Sequence, residues 1–281
     1  MKFGAVVNPY EPWEQVVRWW RDLEELGLDS VWGPDHLVNP RGGRPVYDGW
    51  ASLAALAQAT SRVRVGTLVT SIVFREPRLL AKQAIAVDHI SGGRLEVGIG
   101  AGSAADHDPA GLAEWSPRER SDRLRRFVEE LDELLRGDER RGFPVQRPRP
   151  PLTIAAWSPS NIRLAAERAD RWNTMGGDGL SAAEGLERAT AQRELLDTYC
   201  LEIERDPSTV VRSFLHAYHW VAETPFESVD AFAAFAARYR AAGFDELLVY
   251  YPPERFSPAG TVEPGVFERV AKELLPELRR R

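Results

Sequence analysis

A chain of 281 residues, 43% of them hydrophobic, is long enough to bury one large core, and α/β barrels reach this length as a single domain. With 36 basic against 42 acidic residues the net charge is −6 and the pI near 5.6, so the surface repels polyanions and nucleic acid is excluded as a natural partner. The single cysteine, Cys200, rules out an internal disulfide framework and a cysteine metal cluster; charges recur in every predicted helix and no N-terminal apolar run resembles a signal peptide, so a cytoplasmic protein with no membrane span is expected.

Residues 2–7 form a short apolar run ending in Asn8-Pro9, the mark of a first strand. Pro12 opens a helix with Val16, Val17, Trp20, Leu23 and Leu26 at helical spacing, and Gly27 stops it. A second strand over 30–33 runs into Pro34, Asp35 and His36, then a Gly/Arg-rich loop and a helix over 50–59. Strand three covers 62–70 and its helix 77–90. Gly92-Gly93 break that helix, and Leu95, Val97 and Ile99 form strand four. Gly100-Ala101-Gly102 then turn the chain where side chains would obstruct a ligand. An amphipathic helix over 117–136 and a proline-rich connection over 144–151 lead to strand five at 152–156 and a helix over 161–169. Strand six, 172–175, ends at Gly176-Gly177 before a helix over 181–204; strand seven spans 210–221, with a helix over 228–242. Strand eight, 246–251, and a helix over 264–278 follow. Eight strand–helix units fill residues 1–281, which predicts a single-domain (β/α)8 TIM barrel.

In that architecture chemistry sits at the C-terminal ends of the strands. His36, Thr70, Ser71, Gly100 to Ser103, Trp157 to Asn161, Gly176, Gly177, Tyr250 and Tyr251 all fall at that face. His36 is the candidate acid or base, with Asp35 beside it able to influence its orientation or protonation. His89 near a helix C-terminus is read as structural, while His107 lies in the loop after strand four and is a second candidate for the site. His216 and His219, three apart on a predicted strand, point to opposite faces and make no metal pair; no metal is expected. Trp32, Trp157, Trp172 and Trp220 are suited either to the core or to walling a flat ring. Ser158, Pro159, Ser160 and Asn161 open a helix, where ordinary capping is favoured over a phosphate seat. The basic runs at 123–126 and 279–281 are read as solvated helix faces.

Taken together, the runs LDSVWGPDHL at 28–37, RVRVGT at 62–67, AKQ at 81–83, DHISGGRL at 88–95 continuing through Gly102, SPRER at 116–120 and ADRWN at 169–173 are similar to the luciferase-like flavin and deazaflavin oxidoreductases. The resemblance implies a flat isoalloxazine or deazaflavin ring in the barrel mouth, its phosphate held by backbone at the strand-four and strand-five loops. Thr67, Leu68, Val69, Thr70 and Ser71 look like the family's strand-three bulge, which supports the ring and in several members contains a non-proline cis bond. His36 matches the histidine that stands near the reactive ring carbon in the deazaflavin branch, and the Asp35-His36 pair is typical of members using coenzyme F420. Flavin mononucleotide members often carry Arg in the glycine turn, where this chain has Ala101.

The expected activity is therefore an F420-dependent hydride transfer to or from a small organic substrate, with Trp157, Tyr250 and Tyr251 as substrate walls. An FMN-dependent monooxygenase using oxygen is the enzymatic alternative, and a barrel that binds a flavin or another ligand without turnover is the alternative of another kind. Ser103 departs from the acidic residue that the branch's sugar-phosphate dehydrogenases place there, and Pro40 replaces their tryptophan, which counts against that particular reaction. The short connection over 222–226 implies an open site or one completed by a partner subunit; a homodimer follows by family analogy.

Overall fold

The computed structural model describes residues 1–40, 43–103 and 106–280; Arg281 of the basic run lies outside the described residues. Among the described residues there are ten strands: β1 Lys2–Val7, β2 Ser30–Asp35, β3 Arg64–Ser71, β4 Leu95–Gly100, β5 Leu152–Ala155, β6 Arg171–Thr174, β7 Leu180–Ser181, β8 Val211–His216, β9 Val221–Ala222 and β10 Glu246–Tyr251. Eight of them close into a parallel barrel in the order β1-β10-β8-β6-β5-β4-β3-β2, while β7 and β9 pair as a separate ribbon. The helices are α1 Trp13–Glu25, α2 Gly49–Ala59, α3 Pro77–Ile90, α4 Pro117–Leu135, α5 Pro159–Arg168, α6 Ala182–Glu202, α7 Val229–Ala241, α8 Val266–Arg269 and α9 Leu275–Arg280. The expected (β/α)8 architecture is thus the observed one. Among the described residues no helix is long and apolar enough to cross a membrane.

The barrel forms because each strand carries apolar residues on both faces, as a sheet covered on both sides requires. β1 is buried at every residue but Lys2, and β4 and β6 throughout. Outward residues such as Val31, Val65, Val97, Phe214 and Leu247 join the main core under the helices. Inward residues Val6, Trp32, Leu68, Leu215 and Leu248 form a second, smaller cluster. Helix starts follow local chemistry: Ser116 with Glu119 and Ser181 with Glu184 form capping boxes at α4 and α6, and Glu76 before Pro77 caps α3. Arg94, within the Gly-Gly-Arg run, donates to Ser91 O, Thr60 Oγ1, Val63 O, Ala57 O and Thr60 O at 2.7–3.1 Å, so its guanidinium fastens the ends of α2 and α3 to the segment that enters β3.

Two expectations are corrected. The predicted strand over 210–221 ends at His216: the chain turns through 217–220, with Trp220 N and Val221 N donating to Ala217 O, and Val221–Ala222 pair with β7 instead of the barrel. His219 therefore lies in a turn and not on a strand, where it packs against Trp220. The last helix is not continuous, because Val270–Leu274 widen into a π-turn between α8 and α9.

At the N-terminal ends of the strands the barrel is plugged by charge. Arg171 donates to Glu96 Oε1 at 3.0 Å and Glu246 Oε2 at 2.8 Å, Arg64 reaches Glu96 at 2.6 Å, and Ser30 Oγ lies 3.4 Å from Glu246. The Arg171 guanidinium also stands 5.5 Å from the Trp32 ring. Burial pushes the Glu246 carboxyl above the usual range in spite of Arg171. With this end filled, the C-terminal mouth is the open end of the barrel among the described residues.

Candidate active site at the barrel mouth

β2 extends two residues further than its predicted end and carries Asp35 into the wall of the barrel. Asp35 is buried and both its oxygens are taken by Arg75, Nε to Oδ2 at 2.9 Å and Nη2 to Oδ1 at 2.5 Å; Arg75 also reaches Asp48, the N-cap of α2, at 2.7 Å. Burial still raises the Asp35 carboxyl above its ordinary value. Asp35 and His36 act on each other through charge, and a second carboxylate faces the ring directly: Asp106, whose Oδ1 stands 4.0 Å from His36 Nδ1. That separation is an electrostatic contact and longer than a hydrogen bond.

Asp106 joins three segments. Its Oδ2 accepts Ser103 N–H at 2.7 Å and Ser71 Oγ–H at 3.2 Å, and Oδ1 is the atom turned to His36. Burial works to raise its carboxyl, and the His36 ring and the Ser103 amide outweigh that, holding it below the usual carboxylate range. His107, beside it, is buried and holds the loop together: Nδ1 meets Ser103 O at 3.1 Å and Nε2 accepts Trp115 N–H at 3.3 Å. Its place is thus in the scaffold of the glycine turn.

The strand-three segment contains a cis Leu68-Val69 peptide and a register shift against both neighbours. Thr67 Oγ1 donates to Gly98 O, Thr70 Oγ1 donates to Thr67 Oγ1, and Trp50 Nε1 donates to Thr70 Oγ1, all at 2.9–3.0 Å. The two threonine hydroxyls therefore mend the ladder at the bulge, while Leu68 and Val69 join the inward cluster. The glycines answer to the bulge as well. A Cβ at Gly98 would lie 1.8 Å from Thr67 O, one at Gly100 2.5 Å from Val69 Cγ2, and one at Gly102, whose φ is +73°, 2.6 Å from Ser71 Oγ. The turn at Gly100-Ala101-Gly102 is bare because β3 presses against it, a reason the sequence reading did not consider; Ala101 itself packs against the main core.

Across the mouth, Ser158 occupies the N-cap position of α5 without a side-chain cap bond; its hydroxyl meets Ser160 Oγ at 3.2 Å, and Ser160 Oγ lies 3.4 Å from Ser121. Pro159 is N1, and Asn161 N bonds Ser158 O. Trp157 is 42% exposed, whereas Trp32 and Trp172 are fully buried, with Nε1 donating to Ser30 Oγ and Ala156 O, so neither walls the mouth. Gly176 approaches Gly185 of α6 so closely that a Cβ would sit 2.9 Å from Gly185 O, and a Cβ on Gly177 would meet Leu180 at 2.8 Å. Gln192 of α6 ties this wall together: it accepts Thr174 Oγ1–H at 2.6 Å and donates to Gly176 O at 3.1 Å and Trp157 O at 3.5 Å. Tyr250 turns inward beside Trp220 and Phe256. Tyr251, one residue on, turns outward against Trp19 and Phe267 and is buried there, its hydroxyl pushed up to about 12 by burial; as a substrate wall it is corrected.

Asp106, Arg75 and Gln192 are the residues that sequence reasoning passed over. Asp106 had a signal, a carboxylate four residues beyond the glycine turn; the other two are brought in by tertiary closure alone. Two small gaps lie between sheet and helices, one lined by Phe3, Leu28, Phe226 and Leu247 and one, behind the end of β2, by Val7, Pro34, Gly49 and Leu53. Among the described residues no cluster of His, Cys, Asp and Glu is placed to hold a metal ion.

Residues 1–248 match the luciferase-like monooxygenase family. The 4-hydroxyprotoasukamycin monooxygenase of Streptomyces nodosus is 33% identical over 159 residues, covering 52% of this chain and 40% of that enzyme. The F420-dependent glucose-6-phosphate dehydrogenase of Gordonia bronchialis is 30% identical over 233 residues, 73% of this chain and 68% of the relative. The chain thus spans well under two thirds of the monooxygenase. Among solved structures, an F420-dependent secondary alcohol dehydrogenase in complex with an F420-acetone adduct superposes with a TM-score of 0.77 at 17% identity, covering 99% of each chain, a likeness of fold.

Proposed function

The chain belongs to the luciferase-like monooxygenase family, and on that premise we propose that it is an oxidoreductase that uses coenzyme F420 to move a hydride to or from a small organic substrate. The observation that carries the reading is the juxtaposition, at one open end of a charge-plugged barrel, of an apolar floor and a histidine–carboxylate pair. The floor suits a flat ring: Val69, Met175, Trp220 and Tyr250 are partly exposed above Val6, Leu68, Leu215 and Leu248. Trp157, Gly176 and Gly177 form a wall fixed by Gln192, and the Ser158, Ser160 and Ser121 hydroxyls offer polar partners to a phosphate-bearing tail near the start of α5.

Bound there, the deazaflavin supplies two-electron chemistry, and the protein supplies binding and orientation. His36, with a side chain 32% exposed, holds or releases a proton at the rim as charge changes on the substrate oxygen or nitrogen. Asp35 with Arg75 fixes the end of β2 from which His36 projects. The relative of 33% identity favours a second reading, an FMN-dependent monooxygenase. Titration of the purified protein with each cofactor, followed by absorbance and intrinsic fluorescence, separates them: saturable binding of coenzyme F420 with no tight FMN binding supports the first, and the reverse result overturns it.

A further inference from the structure

Asp106 lies in the loop after β4, where its oxygens are divided between two tasks. Oδ2 is saturated by the Ser103 amide and the Ser71 hydroxyl, which anchors the carboxylate to the glycine turn and to the end of β3. Oδ1 is left for His36 Nδ1. The competing acids are accounted for: Asp35, next to His36 in the chain, is held in a two-point fork by Arg75, and Asp48 is held by the same guanidinium and by the Ala51 amide. His36 Nε2 has no hydrogen-bond partner among the described residues.

We propose that Asp106 is a positioning residue that sets the tautomer of His36, drawing the ring proton to Nδ1 and leaving the Nε2 lone pair as the proton-transfer atom at the mouth. A neutral imidazole carries one N–H, and the nitrogen that faces an anionic acceptor keeps it. When Nε2 takes a proton from substrate, the ring gains a positive charge 4.0 Å from the carboxylate, which stabilises it; when Nε2 returns the proton, the Nδ1–H is retained throughout. The acid absent at Ser103 thus has a counterpart three residues later that acts through the histidine and never exchanges the proton itself. This inference rests on the hydride-transfer reading for its use, and on the geometry alone for the tautomer.

Asp106→Asn is the discriminating variant. Its amide oxygen still accepts from Ser103 and Ser71, so the turn is kept, but its NH2 now faces Nδ1 and favours the opposite tautomer. Nitrogen-15 NMR of the full-length protein without cofactor reads the tautomer directly. The expected result is a reversal from Nδ1–H to Nε2–H, a fall in kcat of about a hundredfold, the usual range for misplacing one proton-transfer group, and an unchanged Kd for coenzyme F420. His36→Ala and the His36→Ala/Asp106→Asn double variant are expected to be equally impaired, since Asp106 acts through the ring. An unchanged tautomer in Asp106→Asn overturns the proposal, as does a weaker cofactor Kd with the tautomer intact, which would make Asp106 a scaffold only. A reversed tautomer in a protein that shows no F420 turnover supports the positioning role and removes the functional reading instead.

Discussion

Replacing Arg171 by methionine tests whether the ionic plug holds the barrel together. The substitution keeps most of the aliphatic stem and removes the guanidinium that reaches Glu96 at 3.0 Å and Glu246 at 2.8 Å. Glu96 retains Arg64 at 2.6 Å, but Glu246 keeps only the more distant charge of Lys2 and hydroxyl neighbours such as Ser30 at 3.4 Å. Removing one partner of a buried ion pair typically costs about 3–5 kcal/mol, because a carboxylate is left without compensation. Against a total stability of about 5–15 kcal/mol this is a large fraction, and it corresponds to a fall in Tm of roughly 10 °C for a domain of this size. The Glu246 carboxyl is already raised in the fold above its ordinary 4.5, so its contribution favours the fold below that value and is lost as pH rises through the folded value. Without Arg171 the carboxyl rises further, and the penalty grows from pH 5 to pH 8. Urea unfolding followed by far-UV circular dichroism at both values measures it, and adding Glu246→Gln should restore part of the loss at pH 8. A penalty under about 1 kcal/mol, or one equal at the two pH values, would refute the reasoning.

Gly98→Ala places a methyl 1.8 Å from Thr67 O, a clash with backbone that no rotamer relieves; a loss of about 3 kcal/mol or failure to accumulate folded protein is expected in thermal unfolding, and wild-type stability would show that β3 and β4 can separate there. Gln192→Ala removes the tie between Thr174, Gly176 and Trp157, and cofactor titration should find Kd raised about tenfold while Tm moves little; an unchanged Kd would detach this wall from the binding site.

Much of the fold was legible because local signals were strong. The bounds of α3 follow from Pro77 and from the Ser91-Gly92-Gly93 stop, and β10 carries the buried apolar run Leu247, Leu248 and Val249. The overrun of β8 has the opposite cause: apolar residues continue through Trp220 and Val221, and composition does not reveal that Val221 takes β7 as its partner. The mouth was found because strand ends share one face, so His36, Trp157 and Tyr250 could be placed by counting strands. What escaped was pairing at a distance. Arg75 meets Asp35 across 40 residues and Gln192 meets Trp157 across 35, contacts that exist only once the barrel closes. Tyr251 was misread because the face of a strand-end residue depends on a register that sequence alone leaves open. The glycine turn was recognised for the right conformation and given an incomplete cause, since the body that excludes a side chain at Gly100 is Val69 of the chain itself.

The closing seam has a consequence for how the molecule is made. β1 pairs with β10 along six residues, Lys2 to Val7, but with β2 along only three, Gly4 to Val6. Above the seam Glu11 is gripped by Arg44 and by Arg255, the latter 244 residues away. The first strand of the barrel therefore waits for the last before its ladder is complete. Until then a buried-type apolar strand presents an open edge to whatever strand comes near. Synthesis of the barrel is accordingly a period of exposure that runs from β1 to β10, and a segment grafted between these two strands lengthens it.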